Sequence, residues 1–155
     1  VVNHDLVNYD VFHDDLLVMR NGAEVIVRKD MVQEFMLLTG LDSLQLVRLK
    51  VNAVESFYQP LVKGKIELYK KVVKTIAAPT NTGAYSNGKT YSEFVEEKKY
   101  FWRPTSGGLK EVRNKKPLFA DFPEQQKNLE LFLQKNQINV KDEQHLKAVF
   151  IYLNR

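Results

Sequence analysis

Ser56-Phe57-Tyr58-Gln59-Pro60-Leu61-Val62-Lys63-Gly64-Lys65-Ile66-Glu67-Leu68-Tyr69-Lys70-Lys71-Val72-Val73-Lys74-Thr75-Ile76 decides how this chain folds. Ile66, Leu68, Val72 and Ile76 fall at even spacing. Lys65, Glu67, Tyr69 and Lys71 occupy the alternate positions, a period of two that belongs to a strand with one face turned inward. Ser56 to Val62 is a second strand, and Lys63-Gly64 between them is a hinge. So short a connection joins antiparallel neighbours, because a parallel pair needs a crossover of a dozen residues or more. Pro60 has no N–H for the ladder, which demotes Ser56 to Val62 to an edge strand or a bulge.

Upstream the same grammar repeats. Leu6 to Phe12 and Leu16 to Met19 are strands joined at His13-Asp14-Asp15. Asn21-Gly22 favours the positive φ angles of a tight hairpin turn, and Glu24 to Arg28 follows it. Met31 to Leu38 alternates loosely, Thr39 to Ser43 breaks it, and Leu44, Leu46, Val47 and Leu49 make another strand. Downstream, Ala78 to Ser92 reads as a loop carrying Pro79, Asn81, Gly83, Ser86, Asn87 and Gly88. Phe94 to Trp102 returns as a strand, Arg103 to Gly108 stops it, and Leu109 to Arg113 is a last short one.

From residue 115 the period changes to 3.6. Pro123 suits a first helical turn, with Leu129, Phe132 and Leu133 on one face. A second helix starts near Asp142-Glu143, whose charges complement the helix dipole, and Leu146, Val149, Phe150 and Leu153 form its apolar stripe. The expectation is one α+β domain over residues 1–155, mainly β over 1–114. An antiparallel β-meander packs with two C-terminal amphipathic helices. Strong curvature or barrel-like closure of the sheet stays open.

With 155 residues, 44% hydrophobic and 27% charged, the chain can build a core and falls outside the composition of disorder. It has no cysteine, which excludes thiol nucleophiles, cysteine-based zinc sites and disulfides together. No stretch approaches the ~20 apolar residues of a membrane helix. A start at Val1-Val2 rather than at Met points to a removed signal peptide or to a chosen boundary.

The sequence holds no recognisable catalytic constellation. His4, His13 and His145 are far apart on different elements, and no HExxH-like set of metal ligands accompanies them. The serines at 43, 56, 86, 92 and 106 sit in no GxSxG turn, and Gly107-Gly108 opens no helix that would cradle a phosphate. Glu96 and Glu97 are strand neighbours that point to opposite faces, and Asp14-Asp15 reads as a solvated turn. No enzyme activity and no cofactor are expected.

The basic, aromatic middle is the main functional signal. Residues 55–120 carry 13 Lys/Arg against 6 Asp/Glu, and residues 1–54 carry 5 against 8. The candidate binding residues are Lys65, Tyr69, Lys70, Lys71, Tyr85, Tyr91, Lys99 and Trp102. Exposed together with the Ala78–Ser92 loop, they would anchor another protein or an envelope component. Single-stranded nucleic acid ranks second, through bases stacked on the rings and phosphates paired with lysines. A small molecule between sheet and helices is a third reading, and a lysine-guarded solvated face is the bland one.

Three stretches carry a resemblance: Tyr9 to Val18, Phe57 to Lys71, and the run from Lys115 through Leu118 and Pro123 to Leu133, continuing to Leu146 and Tyr152-Leu153-Asn154. The chain resembles a family of uncharacterised small secreted or envelope proteins of Bacteroidota. The first stretch is similar to the family's opening hairpin, the second to its "F-x-x-x-L-x-x-G-K-x-x-L-x-K" strand pair, and the third to its closing helices. Pro60 and the Ala78–Ser92 loop depart from the family pattern. The resemblance implies an exported α+β protein and carries across no catalytic or binding residue.

Overall fold

The computed structural model describes residues 7–77, 93–104, 107–114 and 120–155. Two antiparallel meanders and two helices make up the architecture. The first meander runs β1 (Val7–Asp10), β2 (Asp15–Arg20) and β3 (Ala23–Val27). The second is six-stranded: β4 (Glu34–Thr39), β5 (Asp42–Val51), β6 (Val54–Val62), β7 (Ile66–Ile76), β8 (Phe94–Pro104) and β9 (Lys110–Glu111). Strand order equals chain order in both, and β4 and β9 do not pair, so the sheet stays open rather than closing into a barrel. Helices α1 (Gln126–Lys135) and α2 (Glu143–Leu153) follow.

Local chemistry explains most of these boundaries. Asn21 and Gly22 both take positive φ (51° and 80°), the backbone of a two-residue hairpin turn, and set Arg20 opposite Ala23. A second such turn occurs at Asn52 and Ala53 (φ 48° and 69°), closing β5 on β6. Pro123 opens a 3-10 turn that leads into α1. Asp142 caps α2 by accepting from the His145 N–H at 2.9 Å, and Glu143 follows in the first turn.

Pro60 corrects part of the sequence reading. Strand β6 lies inside the sheet, between β5 and β7, so it is not an edge. The bulge is there, as a register shift between Pro60 and Val62. Pro60 stays opposite Tyr69 and Leu61 is the extra residue of the bulge, so the missing N–H falls where the ladder is interrupted.

Both faces of the β6–β8 region are packed. On one, Val62, Leu68, Tyr100 and Trp102 meet Leu129, Leu133, Leu146, Val149, Phe150 and Leu153 of the helices. On the other, Tyr58, Tyr69 and Phe101 cluster with Val47, Leu49, Val51 and Leu109. Successive strand residues point to opposite faces, so Leu68 and Tyr69, or Phe101 and Trp102, supply different cores. A third cluster joins the two sheets: Leu16, Leu46 and Phe57, with Tyr9, Phe35 and neighbouring aliphatics around them. The Phe57 ring lies 4.9 Å from Phe35 and 6.0 Å from Tyr9, both edge-on, a favoured aromatic arrangement.

The second helix is also tied to the hinge read from Lys63-Gly64. The Asn154 carboxamide accepts from the Ile66 N–H at 2.9 Å and donates to the Ile66 carbonyl at 2.7 Å, as a neighbouring strand would. A Cβ on Gly64 would run into that carboxamide, so the close approach requires glycine.

Candidate functional site

Those of the expected binding residues that the structure describes do not form one exposed face. Tyr69 and Trp102 are buried on opposite sides of the sheet. Tyr69 donates its hydroxyl to Glu67 at 2.9 Å, and the Arg103 guanidinium lies 5.3 Å from the ring centre while pairing with Glu67 at 2.8 Å. Trp102 packs between Phe122 and Phe150, with Lys110 over its ring at 5.1 Å. Neither ring offers a free face on which a base could stack. Lys70 pairs with Glu143 of α2 at 2.9 Å, and Lys99 with Glu97 at 3.3 Å. Lys65 is exposed in the turn just before β7. Tyr85 and Tyr91, with the whole Ala78–Ser92 loop, lie outside the described residues.

Lys71 leads to the most concentrated polar chemistry of the described residues, and it centres on Asp14. Strand β6 pairs with β5 over Val54–Tyr58 and with β7 only from Gln59 onward. Beside Ser56 and Phe57 the β7 side of the strand therefore has no ladder, and the Asp14 carboxylate enters there. It accepts from the Ser56 hydroxyl at 2.7 Å and from Lys29 Nζ at 2.9 Å, and more distantly from the Phe57 N–H at 3.5 Å. The Tyr9 hydroxyl also donates to Asp14. Lys71 Nζ donates to Ser56 Oγ, stands 3.7 Å from Asp14 and lies 5.6 Å from the centre of the Tyr58 ring. Asp14 holds this position with φ of 62°, a left-handed conformation that Asp tolerates better than most residues.

The electrostatics follow from this geometry. Burial would raise the Asp14 carboxyl, but the bonds from Tyr9, Lys29 and Ser56, with the Lys71 charge, outweigh it and hold the pKa below the ordinary carboxylate value. Burial also lowers Lys71, which Asp14 only partly restores. Tyr9 is pushed well above the usual phenol range by burial and then by its bond to Asp14. Asp14 therefore corrects the sequence reading of a solvated turn charge: its side chain is only 15% exposed.

A serine beside a lysine raises the question of a nucleophile, and the burial of Ser56 bears on it. A lysine base would have to accept the serine proton. Here the Ser56 hydroxyl donates to Asp14, the Lys71 nitrogen donates to Ser56, and Ser56 is 1% exposed. The cluster is built as a clasp that holds the β1–β2 hairpin to β6 and β7. One signal for it is present in the sequence, a small hydroxyl at Ser56 opening the largely aromatic and apolar run Ser56 to Val62.

Two surface hollows lie among the described residues. One, of about 180 Å³, is lined by Val7, Asn8, Leu17, Val18, Met19 and Glu24 of the small sheet. The other, of about 280 Å³, lies along Asp121–Gln125 before α1. Both are shallow, both fall below the usual range for small-molecule pockets, and neither lies between helices and sheet.

The exposed apolar side chains mark a different place. On β4, an edge strand of the large sheet, Met36 and Leu38 share one face and are 53% and 75% exposed, and Leu41 stands fully exposed in the adjoining turn. Fold and surface together define an α+β domain of two open meanders with an apolar outer edge. No family model, curated protein or solved structure matches this chain.

Proposed function

We propose that this chain is a non-enzymatic, exported domain that binds another protein or an envelope component, with the outer row of β4 as its contact surface. One observation carries the reading: Met36, Leu38 and Leu41 project from an edge strand and its turn. Met36 and Leu38 are neighbours on one face of the strand, and adjoining exposed apolar side chains point to an interaction site more than scattered ones do. An apolar row favours a protein surface over phosphates, and Lys70, Lys71, Lys99 and Arg103 of the basic region are engaged with carboxylates of the chain itself. Export rests on the resemblance to secreted and envelope proteins.

The test is in-cell cross-linking and capture of the tagged chain. Three forms are compared: the parent, Met36→Lys with Leu38→Lys, and a deletion within residues 78–92. Loss of a defined partner from the lysine variant, with unfolding unchanged, supports the β4 row, and loss only from the deletion moves the site to the loop. An identical partner set from all three removes the proposal. Lys70→Glu and Lys71→Glu do not serve here, because they would break the Glu143 pair and the Asp14 clasp and so perturb the fold.

A further inference from the structure

Strand β3 is one of the two edges of the small sheet, and its chemistry differs from that of β4. It pairs only with β2 and carries no lysine, proline or register shift, the devices that usually blunt an edge. Arg20 and Ala23 flank a two-residue turn and so exchange backbone hydrogen bonds. Alternation then aims the N–H and C=O groups of Ala23, Val25 and Val27 at β2, and those of Glu24 and Ile26 outward. Arg28 continues in extended conformation (φ −61°, ψ 126°) and extends the outward series. Its carbonyl accepts from the Met31 N–H at 3.1 Å, which leaves one lone pair.

An antiparallel partner must set outward-pointing residues against outward-pointing residues. For β3 against itself, a two-fold axis at Ile26 meets this rule with all three outward positions used. Ile26 then faces Ile26, Glu24 faces Arg28, and the inward-facing Val25 faces Val27. The 62%-exposed Ile26 and half-exposed Val25 gain apolar neighbours, and each acid meets a base. Arg28 is poised for this: its Nε and Nη2 hold Asp30 at 3.1 and 2.6 Å, which orients the fork and leaves Nη1 for a second carboxylate.

We propose that β3 pairs antiparallel with β3 of a second copy of this chain, about a two-fold axis at Ile26, joining the two three-stranded sheets into one of six strands. The surface is separate from the β4 row, so this dimer and the function proposed above stand or fall independently.

The test is sedimentation equilibrium of the full chain with charge-reversed variants. Glu24→Arg alone sets arginine against Arg28 twice, and Arg28→Glu alone sets glutamate against Glu24 twice. Each should weaken self-association about tenfold. An equimolar mixture of the two variants restores both complementary pairs and should dimerise as the parent does. These positions are exposed, and circular dichroism confirms that each variant folds. The chain has no cysteine, so Ile26→Cys reports the register directly. Hydrogen-bonded cross-strand residues lie about 5.5 Å apart at Cα, within disulfide reach, and mild oxidation should give a covalent dimer. A monomeric parent with no cross-link from Ile26→Cys overturns the proposal. So does a dimer that both single reversals leave intact.

Discussion

Removing the Asp14 carboxylate tests whether the small sheet is clasped or merely adjacent. Asp14 accepts from Tyr9, Lys29 and Ser56 and faces Lys71, so Asp14→Ala strands three donors and two cations at once. Breaking a buried ion pair from one side costs about 3–5 kcal/mol. The side chains of Asp14, Lys29 and Lys71 retain 15%, 27% and 20% exposure, so the low end, about 3 kcal/mol, applies. Alanine at φ of 62° adds about 1 kcal/mol of backbone strain. Asp14→Asn keeps the left-handed conformation and one acceptor oxygen, and should cost about 2 kcal/mol. Urea unfolding followed by the single tryptophan, Trp102, reads the global loss. Hydrogen exchange of the Leu16–Val27 amides reads the opening of the small sheet. The clasp predicts that these amides lose protection first and most. Stability of both variants within 0.5 kcal/mol of the parent, with protection unchanged, would refute the reasoning.

The Asp14 carboxyl is held below its ordinary pKa, so its contribution is complete above about pH 4 and fades as pH falls through the folded value. The stability gap between parent and Asp14→Asn should therefore narrow in acid titrations followed by circular dichroism. Ala53 sits at φ of 69° in a two-residue turn, and Ala53→Gly should stabilise by about 1 kcal/mol, read as a higher urea midpoint. Asn154→Ala strips the Ile66 N–H and C=O of their partner and should cost about 2 kcal/mol, with the α2 amides losing exchange protection. Phe150→Ala empties the centre of the helix–sheet core, where the ring is fully buried, and should cost about 3–5 kcal/mol in the same denaturation assay.

The sequence made the backbone plan legible because that plan rests on local rules. Asn21-Gly22 named its own hairpin, the change of period after residue 114 announced the helices, and Pro60 declared an irregularity in β6. Less legible was anything that depends on what covers a face. Tyr69 and Lys71 alternate with Leu68 and Val72 and so read as a solvated row, yet a second cluster packs Tyr69 against Tyr58 and Phe101. Alternation records that two faces differ, and tyrosine and lysine can lie against protein as readily as against water. Asp14 reads as a solvated turn charge for a related reason. Its partner Ser56 lies 42 residues away, and the opening it fills exists only because β6 changes neighbours at Tyr58. The Asn52-Ala53 turn gave little signal, since alanine rarely takes positive φ. The apolar row of β4 was visible as a strand, but its exposure depended on which strand ended the sheet.

The most direct test of a binding role for β4 is site-specific photo-cross-linking in cells, with the reactive group placed at Met36, at Leu38, and at exposed Lys98 on β8 as the control. The account predicts one discrete adduct shared by positions 36 and 38 and absent from 98. Adducts from Lys98 alone, or none from Met36 and Leu38, would contradict it.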